Sequence, residues 1–201
     1  MMKICIVILL AGVFFFTPFP VLAALSVDIV DALYASVSTP SATMDAVKYS
    51  FACETAEGTL GTENQQIYVN NENGANRGWN VTLAASNVNN VWTSGVNTYD
   101  FNEPTGNGCT NGQMTIDTSG LTPAKGQCGD TCSADFVSAP NSATAFSSTV
   151  TSITILSGDA GSSNIGDWIL QGVKIRQKIP AEKPIGNYSI NMVLTIMPRS
   201  P

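Results

Sequence analysis

Runs in which apolar and polar residues alternate one for one constrain this chain more than any other feature. Trp79, Val81, Leu83 and Ala85 alternate with Asn80, Thr82, Ala84 and Ser86. Successive side chains of an extended strand point to opposite faces, so such a run has one face to bury and one to wet. The period recurs at Val47, Tyr49, Phe51 and Cys53, at Ile67 and Val69, at Met114 and Ile116, at Val173 and Ile175, and from Tyr188 through Ile190, Met192 and Leu194 to Ile196. Phe146, Ser148 and Val150 keep one phase and Ile153 and Ile155 the other, which predicts a β-bulge near Thr151. Turn-forming clusters separate the runs, at 70–74, 103–108 and 158–166. Helical spacing occurs once, over Val27, Val30, Leu33, Tyr34 and Val37, where a strand fits equally well. Short strands between turns predict an all-β fold, an antiparallel β-sandwich of Greek-key-like type.

The N-terminus has a different character. Met1, Met2 and Lys3 precede a nearly unbroken apolar run from Ile4 to Phe16, and Pro20-Val21-Leu22-Ala23-Ala24 follows. This is the order of a secretory signal peptide, with cleavage expected after Ala23. The run is broken by Pro18 and Pro20, short of the roughly 20 residues that a membrane span needs. The expected organisation is a signal peptide over 1–23, an N-terminal segment over 24–43 and one sandwich domain over 44–201, in a secreted or cell-surface protein with no membrane span in the mature chain.

Of five cysteines, Cys5 leaves with the signal, and an even set in an exported chain reads as two disulfides among Cys53, Cys109, Cys128 and Cys132. Three pairings satisfy that count. The close spacing of Cys128 and Cys132 allows a small loop, which would leave Cys53 for Cys109. A four-cysteine zinc site normally draws on two close pairs, and only one is present.

The residue inventory excludes much chemistry. There is no histidine, which removes Ser-His-Asp and Cys-His catalysis. No glycine-rich phosphate loop joins a strand to a helix. The fifteen acidic residues are scattered over turns, and no pair stands out as a glycosidase dyad. The expectation is a non-enzyme without a cofactor. Calcium is the one ion the sequence would accommodate, through Asn70, Asn71, Glu72 and Asn73 or through Asp159, Asn164 and Asp167, in turns whose plainer reading is polar turn chemistry. A formal charge of −6, or −7 once Lys3 leaves, argues against nucleic acid as a partner.

Against that acidic background, Lys174, Arg176 and Lys178 share one strand face, with Lys183 nearby. The stripe suits an anionic wall polymer; equally, charge on a strand protects a sheet edge from unwanted pairing. Trp79 and Trp168 are candidates for stacking on sugars, although the phase Trp79 shares with Val81 and Leu83 places it in the core. Asn80-Val81-Thr82 and Asn187-Tyr188-Ser189 match the short glycosylation sequon, and the alternation turns both outward.

The succession Gly58-Thr59-Leu60-Gly61, Ile67-Tyr68-Val69-Asn70 and Gly78-Trp79-Asn80-Val81-Thr82-Leu83, together with Ile185-Gly186-Asn187-Tyr188 leading to Leu194-Thr195-Ile196 and Pro198, resembles the WxL-type cell-wall-binding domain of Gram-positive surface proteins. Val81 stands where that family has Leu, and Leu194 and Ile196 stand where it has its distal Trp and Leu. The resemblance implies a surface module bound non-covalently to peptidoglycan, another wall polymer or a surface protein. The alternative is a structural filament subunit whose segment Ser26 to Val37, set off by Ser38, Thr39, Pro40 and Ser41, assembles by strand exchange.

Overall fold

The computed structural model describes residues 25–71, 78–87, 89, 91–133, 135–160 and 165–199. The expected signal peptide at 1–23 lies outside them. The strands are β1 (Ser26–Val30), β2 (Glu54–Leu60), β3 (Gln66–Asn71), β4 (Trp79–Ala85), β5 (Trp92–Ser94), β6 (Asn97–Tyr99) and β7 (Gln113–Asp117). They continue with β8 (Ala124–Lys125), β9 (Val137–Ser138), β10 (Ala143–Ala145), β11 (Ser152–Gly158), β12 (Gly166–Leu170), β13 (Val173–Ile179) and β14 (Met192–Pro198). Every ladder is antiparallel. Three four-stranded sheets, ordered β1-β3-β12-β8, β10-β7-β13-β2 and β14-β4-β11-β9, build an all-β sandwich, and β5-β6 forms a separate hairpin.

The first two sheets share one bent ribbon. β3 pairs with β12 and β2 with β13, and the chain turns the corner at Gly61 and Gly172, where the Gly172 amide donates to the Gly61 carbonyl at 2.9 Å. Both glycines have φ of +80°, and a Cβ on Gly61 would lie 2.8 Å from the Leu170 carbonyl oxygen. Only glycine takes that conformation and that approach without strain.

The alternation is realised as burial. β4 buries Trp79, Val81 and Leu83, and β13 buries Val173, Ile175 and Gln177 while Lys174, Arg176 and Lys178 point the other way. Trp79 and Trp168, both fully buried, meet at 5.7 Å between ring centroids and join the first sheet to the third. A Cβ on Gly158 would fall 2.4 Å from the Trp79 ring, so the glycine makes room for the indole. Phe101 and Phe146 pack edge to face nearby.

Three expectations change. The bulge lies between Thr154 and Leu156 rather than near Thr151; it turns the adjacent Ile155 and Leu156 both inward, and β10 and β11 are separate strands. The run Val47 to Cys53 is not a strand: Tyr49 and Phe51 are exposed and pack edge to face on each other. The strand begins at Glu54 instead, because the ladder to β13 holds a segment whose only buried residue is Ala56. Of the two readings left open at Val27 to Val37, the strand is the one realised, as β1 followed by a turn in which the Asp31 carboxylate accepts the Leu33 and Ala35 amides.

The domain boundary at 44 also moves. β1 pairs along its length with β3 and buries Ile29 and Val30, and the Val37 amide donates to the Ile29 carbonyl. The segment proposed for strand exchange therefore completes a sheet of its own chain.

Candidate functional site

The predicted basic stripe lies on the outer face of β7, β13 and β2. Register places the side chains in rows across it. Lys174 lies between Thr59 and Asp117, Arg176 between Glu57 and Thr115, and Lys178 between Thr55 and Gln113. β13 is an interior strand, bonded on both sides. Its charges therefore guard no edge, which removes that explanation for the stripe.

The three cations differ in their commitments. Arg176 bridges two strands, with Nη2 3.0 Å from Asp117 Oδ2 and Nε 3.3 Å from Glu57 Oε1. Asp117 is mostly buried and also accepts the Ser119 amide and hydroxyl. The Ser119 hydrogen bonds, and then the charges of Arg176 and Lys174, hold its carboxyl below the usual range. Lys178 donates through Nζ to the Asn107 carbonyl. Lys174 is exposed and makes no ion pair among the described residues. Lys183 is turned to another surface, where it donates to the Thr98 carbonyl at 3.1 Å.

Beneath this face sits a polar device. Gln177, almost fully buried, accepts the Trp92 indole N–H at 2.8 Å and donates to the carbonyls of Asp100 and Lys178. It fastens the β5-β6 hairpin to β13. Tyr99 of that hairpin stacks near Trp92 and Tyr188, and burial, with Tyr188 beside it, raises its phenol pKa well above the ordinary value.

Trp79 and Trp168 are corrected as contact residues. Both have zero exposure, and the Trp168 indole N–H is spent on the Ser133 carbonyl at 3.1 Å. An indole inside the core contributes packing rather than recognition. The structure nonetheless brings the two stretches behind the WxL resemblance together, since β4 and β14 pair with Val81 opposite Ile196, Leu83 opposite Leu194 and Trp79 opposite Pro198.

The cysteines join as Cys53–Cys109 and Cys128–Cys132, with Cα separations of 5.4 and 5.7 Å. Cys128, Cys132 and Asp167 group their ligand atoms within 4.8 Å. Yet the sulfurs are bonded to each other, and the Asp167 oxygens accept the Gln127 and Cys128 amides, so the carboxylate caps the disulfide turn. The calcium candidates fare no better. Asp159 is paired with Arg199 at 2.8 Å, and Glu72, Asn73 and Asn164 lie outside the described residues. Of the two sequon asparagines, Asn80 is half-buried and bonded to Ser157 and Arg199, whereas Asn187 is exposed.

Alternation along β13 marked the stripe. The carboxylates that answer it, Glu57 and Asp117, lie far from Arg176 in sequence, and only the ladders bring them beside it. No helix among the described residues is long and apolar enough to cross a membrane. Comparison with known protein families, curated proteins and solved structures found no match.

Proposed function

We propose that the protein is an exported, WxL-like surface module that holds non-covalently to an anionic polymer of the bacterial cell wall through the outer face of β7, β13 and β2. The observation that carries this reading is the placement of Lys174, Arg176 and Lys178 on the exposed face of an interior strand. The salt-bridged Arg176 gives the face a fixed geometry, while Lys174 is left to meet an incoming anion. Threonines 55, 59 and 115 and Gln113 on the flanking strands add hydroxyl and amide groups suited to a polyhydroxylated chain. Two disulfides fit an oxidising compartment outside the cytoplasm. The absence of histidine and the bonding of Cys53, Cys109, Cys128 and Cys132 favour binding over catalysis.

Cosedimentation of the oxidised protein with peptidoglycan sacculi carrying their anionic polymers tests the reading. The wild type should pellet with the sacculi and progressively less as salt rises, because exposed charges are screened. Lys174→Glu/Lys178→Glu should remain in the supernatant at all salt concentrations. A wild type that stays in solution, or a variant that pellets as well as the wild type, overturns the proposal.

A further inference from the structure

Three asparagines in the chain are followed directly by glycine, at Asn73-Gly74, Asn107-Gly108 and Asn111-Gly112. The first pair lies outside the described residues. In such a pair the glycine amide nitrogen can attack the asparagine side-chain carbonyl carbon, because glycine has no Cβ to obstruct closure of the five-membered ring. The local sequence makes the other two pairs equivalent. The fold separates them.

Both peptide carbonyls are bonded, that of Asn107 to Lys178 Nζ and that of Asn111 to the Asp100 amide at 2.8 Å. A donor on that oxygen steadies the amidate formed when the peptide nitrogen gives up its proton. The N–H groups differ. The Gly108 amide donates to the Pro104 carbonyl at 3.2 Å, and Gly108 is buried, with room for a Cβ closed off by the Gln113 side chain. Attack there requires the Gly108 hydrogen bond to break first. The Gly112 amide has no hydrogen-bond partner among the described residues, and Asn111 is exposed with its side chain bonded to nothing described. Glycine is also fixed at 112 by the fold. Its φ is +113°, and a Cβ would collide with the Asp100 carbonyl oxygen and lie 3.2 Å from the Tyr99 ring.

We propose that Asn111-Gly112 is a self-modification site at which the chain deamidates through a succinimide. The Gly112 nitrogen loses its proton and bonds to Asn111 Cγ, and the side-chain nitrogen leaves as ammonia. Water then opens the ring at one of its two carbonyls. Opening at Cγ gives aspartate; opening at the main-chain carbonyl gives isoaspartate, in which the chain runs through Cβ and gains one carbon before Gly112. The carbonyl that the Asp100 amide holds becomes a free carboxylate in that product, beside the Glu103 to Gly112 hydrogen bond that leads into β7. The fold thus demands the glycine that makes the pair labile and leaves the asparagine unguarded. The proposal does not rest on wall binding.

Ageing the oxidised protein in mildly alkaline buffer, with peptide mapping by mass spectrometry and fragmentation that distinguishes isoaspartate from aspartate, provides the test. Both products should appear at position 111, roughly fivefold faster than at position 107, because one hydrogen bond separates the two amides. In the reduced, denatured chain the two rates should converge. Equal rates in the folded protein, an Asn111 that stays intact while the denatured chain converts, or aspartate at 111 without isoaspartate overturns the proposal. So does the same preference in the denatured chain, which would assign it to sequence and not to the fold.

Discussion

β13 and β14 are both seven-residue strands with clean alternation, yet they hold opposite positions. β13 is bonded on both sides, buries Val173, Ile175 and Gln177 completely enough to anchor two sheets, and carries cations outward. β14 is bonded on one side, leaves its inward residues half-buried and carries Val193, Thr195 and Met197 outward. Alternation states which face is wet. It does not state whether the flank is covered, and the flank decides how much each inward residue contributes.

Ile175→Ala and Ile196→Ala measure that difference most directly. Truncating a well-buried isoleucine costs about 2–5 kcal/mol, and Ile175 should fall in this range by denaturant unfolding. Ile196, half-buried at the edge, should cost less than half as much; equal losses would mean that β14 is as fully packed as β13. Next in size is Gln177→Leu, which leaves the Trp92 indole N–H without its acceptor inside the protein. An unsatisfied buried donor costs roughly 1–3 kcal/mol, and fluorescence of Trp92 should report a loosened hairpin.

A smaller effect depends on pH. The Asp117 carboxyl is held below its usual value near 3.8, so its contribution is fully present above that value and disappears as pH falls through the lower folded value. Chemical denaturation of the wild type and Asp117→Asn should therefore show a gap at neutral pH that closes in acid. A gap independent of pH would remove the contacts of the ionised Asp117 with Ser119 and, secondarily, with Arg176 as organisers of the face. The smallest effect belongs to Lys174→Ala. With its side chain exposed, it should change stability by no more than about 0.5 kcal/mol, which separates loss of binding from loss of fold.

Much of the architecture was legible because β3, β4, β7 and β13 each bury an apolar face large enough to write its own period. β2 was hidden, since a strand held by its ladder to β13 needs little apolar surface of its own. The false strand at Val47 to Cys53 shows the converse, a good pattern with no neighbour to bury it. Within the candidate site the cations were visible as a stripe, but Glu57, Asp117 and the buried Gln177 were not. Their importance comes from what faces them across a sheet.

The sequence by itself determined the all-β class, the inward phase of most strands and the candidate basic face, because these follow from local alternation and composition. Tertiary structure decided which of the three cysteine pairings forms, the removal of Trp168 into the core, the capture of β1 by its own sheet and the interior place of β13. Each of these depends on which distant strand becomes a neighbour, and a period of two carries no information about the partner on either side.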